Sequence, residues 1–463
     1  MNGDGHLSQA TMIDLEETAR AVGGELHGAN LSFSGVTTDS RAVNAGDLFV
    51  ALVGERFDGN EYVEEAFRRG AVAAIASRVA GGASPTPHVV VEDTRLALGR
   101  LAAHWRAKFA LPLVALTGSN GKTTVKEMLA SILAAHCGAR APVLATQGNL
   151  NNDIGTPVTL LKLRSPHRFA VIEMGMNHAG EIDYLTRIAR PTVALVNNAQ
   201  RAHVGILGSV EAIAHAKGEI YAGLGPDGVA VVNDDDAFAP YWKSLNAGRR
   251  VVTFGFAERA AVRATPAGAH VRFTTPVGMF PVVMQVRGEH NVRNAMAACA
   301  AAHALGIPLR AMHDGLASFG GVPGRQQRRR GRAGGIVIDD SYNANPESMK
   351  AAAQVLAAEP GRTVFVMGDM GELGAESAAM HAEVGRFAKE AGVDALMAFG
   401  DASRHAVQAF GHGAMHFEDL EALTKAAARE AEGGAAILVK GSRFMQMERV
   451  ADALAANGDG HAV

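Results

Sequence analysis

Cysteine is almost missing from this chain: Cys137 and Cys299 are the only two in 463 residues. They stand far apart with no second cysteine at metal-finger spacing, which excludes a disulfide framework and a structural zinc finger and fits a reducing compartment. No run of about 18 apolar residues occurs, so a membrane-spanning helix is not expected. The start, Met1-Asn2-Gly3-Asp4-Gly5-His6, lacks the basic residues and apolar stretch of a signal peptide. A cytoplasmic chain, neither exported nor tied to a membrane, is expected. Net charge is also nearly absent: a formal charge of -3 supplies no broad basic field for nucleic acid or an anionic membrane, so any binding must be local. Aromatic residues make up only 5%, but 48% hydrophobic against 20% charged is the balance of a folded chain, which argues against disorder.

The length exceeds what one core usually supports, so two or three domains are expected. Residues 10–93 alternate short strands and helices, including Asp47-Leu48-Phe49-Val50-Ala51-Leu52 and a helical stretch at 62–70. A helix over 94–109 leads into the apolar run 112–116, suited to a buried parallel strand. Further strands at 169–173, 193–197 and 228–233 alternate with helical segments, the pattern of a doubly wound sheet. Residues 251–287 read as antiparallel strands. From 319 to 335 the chain turns Gly- and Arg-rich, which places a boundary near 323, and apolar runs at 336–338, 363–367, 395–399 and 436–439 each precede a helix, implying a third, Rossmann-like unit. The predicted class is therefore α/β in three domains, 1–93, 94–322 and 323–463, with no internal repeat.

The strongest local signal is Thr117-Gly118-Ser119-Asn120-Gly121-Lys122-Thr123-Thr124, set after an apolar strand and before a helix predicted from Val125. Glycines let backbone N–H groups approach phosphate, Lys122 neutralises the β/γ oxygens, and the Thr123 hydroxyl can join a magnesium shell. A Gly-rich turn with a merely solvated lysine lacks that strand-before, helix-after context. Kinases, ligases and hydrolytic switches all use such loops, although no Asn-Lys-x-Asp sequence for guanine is present. A loop magnesium needs a carboxylate from a second strand, and Glu173 ends an apolar run; a buried carboxylate paired with a lysine is the competing reading. His203 follows another strand. Lys217, in His215-Ala216-Lys217-Gly218-Glu219, fits a salt bridge equally well on spacing alone.

Taken in order, the phosphate loop, Gly148-Asn149-Leu150-Asn151-Asn152-Asp153-Ile154-Gly155-Thr156-Pro157, Glu173-Met174-Gly175-Met176-Asn177-His178, Ala202-His203, Ala216-Lys217-Gly218-Glu219, Gly288-Glu289-His290-Asn291 with Asn294, Pro323-Gly324-Arg325 and Asp339-Asp340-Ser341-Tyr342-Asn343-Ala344-Asn345-Pro346 form a specific series. The series resembles the ATP-dependent Mur ligases over essentially the whole chain. The resemblance implies a small N-terminal uridine-nucleotide domain, a central P-loop ATPase-like domain and a C-terminal Rossmann-like domain that receives the incoming amine. It also implies ATP and magnesium, with Thr123, Glu173 and His203 as metal ligands and Lys217 carried as a carbamate that holds a second magnesium. Asn294 is similar to the family's adenine-contacting asparagine, and Arg325 and Asp340 to its ATP phosphate and ribose partners. Thr38, Asp39, Ser40 and Arg41 resemble the uridine-nucleotide module, and Asn149, Asn152, Thr156, Tyr342, Asn343 and Asn345 fall at substrate-binding positions.

The closest resemblance is to the member that adds D-alanyl-D-alanine to UDP-N-acetylmuramoyl-tripeptide through an acyl phosphate. Tyr342-Asn343-Ala344-Asn345-Pro346 is present, and the Asp-Asn-Pro-Arg tetrapeptide of the diamino-acid-adding relative is absent. Asn345, just before Pro346, equally fits a helix N-cap. The chain departs from the family pattern in two places: Asn60, where a histidine is frequent, and Gln200-Arg201 before Ala202-His203. The third residue of the acceptor peptide, meso-diaminopimelate or lysine, stays open, and a monomer is expected. The rivals are a ligase adding glutamate to a folate, against which the uridine-type first domain argues, and an ATP-driven binding module that makes no amide.

Overall fold

The computed structural model describes residues 11–456 except 56, 79–85 and 333. The N-terminal stretch Met1 to His6 lies outside the described residues. Three α/β units follow one another. In the first, the strand order is Glu25–His27, His88–Val90, Ala73–Ala76, Asp47–Val50 and Gly35–Thr37, parallel except for the first pair. Asp47–Val50 and Ala73–Ala76 are buried at every position, as strands covered on both faces must be.

The central sheet is wholly parallel and runs Arg250–Phe254, Val229–Asn233, Val193–Val196, Leu113–Thr117, Phe169–Glu173, Val143–Ala145. Successive crossovers leave Leu113–Thr117 to opposite sides, so the crevice beyond its carboxyl end is where such a sheet binds ligands. Arg250–Phe254 corrects the antiparallel reading of 251–287: it pairs in parallel with Val229–Asn233, and only Arg263–Ala267, His270–Thr275 and Gly278–Val282 form an antiparallel sheet. Its half-buried alternation is that of an edge strand, which resembles an antiparallel strand in sequence.

Helix Thr94–Arg106 starts where Asp93 accepts from the N–H groups of Arg95 and Leu96. Its apolar face joins the first unit to one side of the central sheet in a single core that includes Leu98, Leu101 and Trp105. Helices Lys122–Cys137, Glu289–Ala304 and Leu309–Ala317 cover the other side. In the third unit the order is Gln327–Arg330, Ile336–Asp340, Ala436–Lys440, Thr363–Gly368, Ala395–Phe399 and Ala414–Phe417, antiparallel only at the first strand. The arginines of 328–330, read from sequence as part of a boundary, thus build a charged edge strand, a device that blocks pairing with other chains. No helix among the described residues is long and apolar enough to cross a membrane.

Candidate active site

At the carboxyl end of Leu113–Thr117 the chain turns through Gly118 to Gly121 and enters helix Lys122–Cys137. Gly121 has φ 79, and a Cβ there would lie 2.2 Å from Asn294 Oδ1, so only glycine fits. Neighbouring loops fix the turn from outside. The Ser119 N–H donates to Asn198 O at 3.0 Å, the Asn120 N–H to Asn198 Oδ1 at 2.9 Å, and Asn197 Nδ2 to Asn120 O at 2.9 Å. Lys122 folds back, its Nζ donating to Gly118 O at 2.8 Å. The result is a rigid ring of main chain at a helix N-terminus, where dipole and N–H groups favour phosphate.

Three ionisable groups meet below this ring. Glu173 is 1% exposed; its Oε1 accepts from Asn151 Nδ2 at 2.8 Å, while the buried Oε2 has no hydrogen-bond partner among the described residues. Lys122 is pushed below its ordinary value by burial, opposed by the Glu173 charge. Lys217 is 2% exposed, and burial followed by repulsion from Lys122 pushes it well below 10.5. A neutral amine is the form that adds carbon dioxide, and burial shifts a lysine toward that form. His203 sits nearby with φ 64, its Nδ1 2.5 Å from Glu372 Oε2 but not angled for a hydrogen bond.

No three His, Cys, Asp or Glu side chains gather as a ready-made metal site among the described residues. Magnesium does not require one, since it is held by one or two carboxylates together with water and substrate phosphates. The unpartnered Glu173 Oε2 beside the phosphate loop fits that demand.

The third unit forms the opposite wall of a cavity of about 1000 Å³. Arg325 lies over the Tyr342 ring at 4.2 Å. Asp340 pairs with Lys440 at 2.8 Å and accepts from the Gln326 N–H at 3.2 Å, and Lys440 also donates to Asn343 O at 2.8 Å. Asn345 is indeed an N-cap, with Ser348 completing a capping box, yet it also exchanges amide hydrogen bonds with Asn120 at 2.7 and 3.2 Å. Asn294 accepts from Asn197 Nδ2 at 3.0 Å.

The cavity thus brings together Ser119, Asn120, Gly121, Lys122 and Thr124 of the loop with Glu173, His203, Lys217, Asn149, Asn152 and Asn294, and from the third unit Arg325, Asp340, Tyr342, Asn343 and Asn345. Thr117, Gly118, Thr123 and Thr156 do not line it; Thr117, Thr123 and Thr156 are buried. Thr38, Asp39, Ser40 and Arg41 lie apart in the first unit. There Arg41 grips Asp39 through Nε and Nη2, both at 2.9 Å, which holds the Asp39 carboxyl down to about 2. Sequence reasoning assigned no role to Asn151, Asn197, Asn198, Glu372 and Lys440. Asn151 sat inside a quoted motif, and Asn197 and Asn198 follow a strand at the ligand-binding edge; Glu372 and Lys440 carried no local signal.

A phosphate-binding loop on a doubly wound parallel sheet, closed over by a further α/β domain bearing charged groups, defines a three-domain nucleotide-using enzyme. Three family models match the chain: the Mur ligase family catalytic domain over residues 32–106, the Mur ligase middle domain over 116–302, and the Mur ligase glutamate ligase domain over 324–443. The UDP-N-acetylmuramoyl-tripeptide--D-alanyl-D-alanine ligase of Escherichia coli (strain K12) is 44% identical, covering 96% of this chain and 99% of that protein. A crystal structure of MurF from Acinetobacter baumannii has a TM-score of 0.88 at 38% identity, over 95% of this chain and 98% of that one. MurF ligase from Thermotoga maritima in complex with ADP has a TM-score of 0.78 at 28% identity, over 90% and 96%. The chain belongs to the Mur ligase family, as an ATP-dependent ligase that forms an amide bond.

Proposed function

We infer that this chain joins D-alanyl-D-alanine to the terminal carboxylate of a UDP-N-acetylmuramoyl-tripeptide in peptidoglycan precursor assembly, with ATP and magnesium. The observation that carries the reading is the convergence of Lys122, the unpartnered Glu173 carboxylate and the buried Lys217 amine, whose proton affinity burial lowers, beneath a phosphate loop, faced by Arg325 and Asp340. In this reading residues 1–93 take the uridine nucleotide through Thr38, Asp39, Ser40 and Arg41, residues 94–322 take ATP, and residues 323–463 bring the dipeptide. In the same reading Tyr342, Asn343 and Asn345 would meet the dipeptide and Asn149 and Asn152 the muramyl peptide, while the buried Thr156 would act through Asn152, whose carbonyl accepts from its N–H at 2.9 Å. The enzyme acts as a cytoplasmic monomer.

The muramyl peptide carboxylate attacks the γ-phosphoryl group and forms an acyl phosphate and ADP. Lys122 and the loop N–H groups neutralise charge spread over the transferring oxygens, and this is most of what phosphoryl transfer asks of a protein. Glu173, His203, the Thr123 hydroxyl and Lys217 as its carbamate would hold magnesium, which would supply further charge neutralisation. The dipeptide amine then attacks the acyl carbon and phosphate leaves. Water must be kept out while the acyl phosphate exists, which is the task of the closed third domain.

ADP release measured with UDP-N-acetylmuramoyl-tripeptide, with and without D-alanyl-D-alanine, single amino acids, or folate plus glutamate, tests the assignment. Turnover that depends on the dipeptide is expected, and turnover indifferent to it overturns the reading. For the carbamate, protein freed of carbon dioxide should regain activity on adding bicarbonate; no response removes Lys217 from that role.

A further inference from the structure

Arg201, one of the two residues that depart from the family pattern just before His203, has no part in the chemistry above, yet it makes the densest set of ion pairs between the central and third domains. Its Nε donates to Glu347 Oε1 at 2.6 Å, and Nη1 and Nη2 grip Glu383 Oε2 and Oε1 at 2.8 and 2.9 Å. Lys350 adds a second cation to Glu383 at 2.7 Å. Two cations and two carboxylates therefore close against one another with no charge left over. Isolated surface pairs contribute little. This one is a two-point guanidinium fork in a network, with Arg201 only 25% exposed, the geometry in which such pairs count.

The backbone around Arg201 gives the pair a lever. Residues 198–203 form a strap that holds the phosphate loop on one side: Asn198 accepts from the Asn120 N–H, Gln200 Oε1 from Asn120 Nδ2 at 2.6 Å, and Gln200 O from the Ser119 hydroxyl at 3.0 Å. The same strap ends at His203. Across the gap, Glu347 and Lys350 lie on helix Pro346–Ala357, whose cap is Asn345, and Glu383 on helix Ser377–Glu390. Beyond His203, the Gly205 N–H donates to Glu372 O at 2.9 Å. A Cβ on Gly205 would come within 2.5 Å of Gly374 N, so the two backbones are already in contact.

We propose that Arg201 is a positioning residue: by clamping Glu347 and Glu383 it holds the third domain shut on the phosphate loop, so that Asn345 meets Asn120 and Glu372 meets His203. The nucleotide loop and the dipeptide-side helix are then registered through one arginine. When a binding-competent state is only partly populated, apparent affinity falls in proportion, so loss of the clamp weakens capture of whatever the third domain must bring to the nucleotide.

The test is small-angle X-ray scattering of the ligand-free protein alongside steady-state ligation. Arg201→Met keeps the apolar stem and removes the fork; its radius of gyration should rise, and KM for the dipeptide should rise about tenfold or more, with a smaller change in kcat. Raising salt from 50 mM to 0.5 M should expand the wild type and leave Arg201→Met unchanged, as screening removes the same attraction. Glu383→Gln, altered from the far side, should reproduce both effects, and the double variant should add nothing further. Arg201→Lys, a point charge without the fork, should restore only part. Equal scattering profiles and equal dipeptide KM for wild type, Arg201→Met and Glu383→Gln, all with intact melting transitions, overturn the proposal. The kinetic arm rests on the ligase reading given above but the scattering arm does not, so a wild type that fails to ligate leaves the clamp testable.

Discussion

Lys217→Met should make the protein more stable while destroying its activity, and the gain should shrink as pH rises. Lys217 is 2% exposed, and burial with the neighbouring Lys122 charge pushes its ammonium well below 10.5. Between that lowered value and 10.5 the unfolded chain holds a proton that the folded chain lacks, so the unfolded state is favoured at low pH and wild-type stability rises with pH across the window. Each pH unit inside it is worth about 1.4 kcal/mol. For a unit of about 150–250 residues that corresponds to roughly 3–5 °C in melting temperature. Methionine has a similar volume and no proton to lose, so the variant lacks this slope. Thermal melts of both proteins at several pH values from about 7 to 10 in buffers freed of carbon dioxide would show the variant ahead at the lowest pH and its lead narrowing by about 3–5 °C per unit above the lowered Lys217 value. A lead that is constant or widens with pH refutes the neutral, buried amine on which the carbamate rests.

Glu173→Gln keeps an oxygen for Asn151 and removes the free carboxylate, so the fold should melt unchanged while calorimetry loses the magnesium dependence of ATP binding and turnover falls about 100-fold. Gly121→Ala forces φ 79 on a residue with a Cβ and drives that Cβ against Asn294 Oδ1; a loss of about 1–3 kcal/mol in urea titration is expected, along with most ATP affinity. Asn345→Ala removes the capping box and the amide pair with Asn120, which should cost about 1 kcal/mol of stability and raise dipeptide KM several-fold; an unchanged KM would confine Asn345 to capping.

What the sequence made legible was what is local along the chain. The phosphate loop needs a strand, a tight glycine turn and a helix N-terminus in immediate succession, so Gly118 to Thr124 announced itself, and Glu173 was readable as a carboxylate ending the fully buried strand Phe169–Glu173. Pairing between distant segments was not. Arg201 meets Glu383 across 182 residues, and Lys440 meets Asp340 from the adjacent parallel strand of the third unit; neither spacing leaves a periodic trace. Arg250–Phe254 alternates because it is an edge strand, and period alone does not separate a parallel edge from an antiparallel one. Gln327–Arg330 reads as part of a boundary because a charged, part-buried edge strand is made of the same residues. Asn345 showed both of its roles only when Asn120 was placed beside it.

In the proposed reaction ATP is spent on the carboxylate of the muramyl peptide before the amine arrives. Acceptor tripeptide labelled with ¹⁸O in its terminal carboxylate, turned over with Mg·ATP and D-alanyl-D-alanine, measures this directly. One labelled oxygen is expected in every phosphate released and the other in the new amide. Phosphate released without label would contradict it.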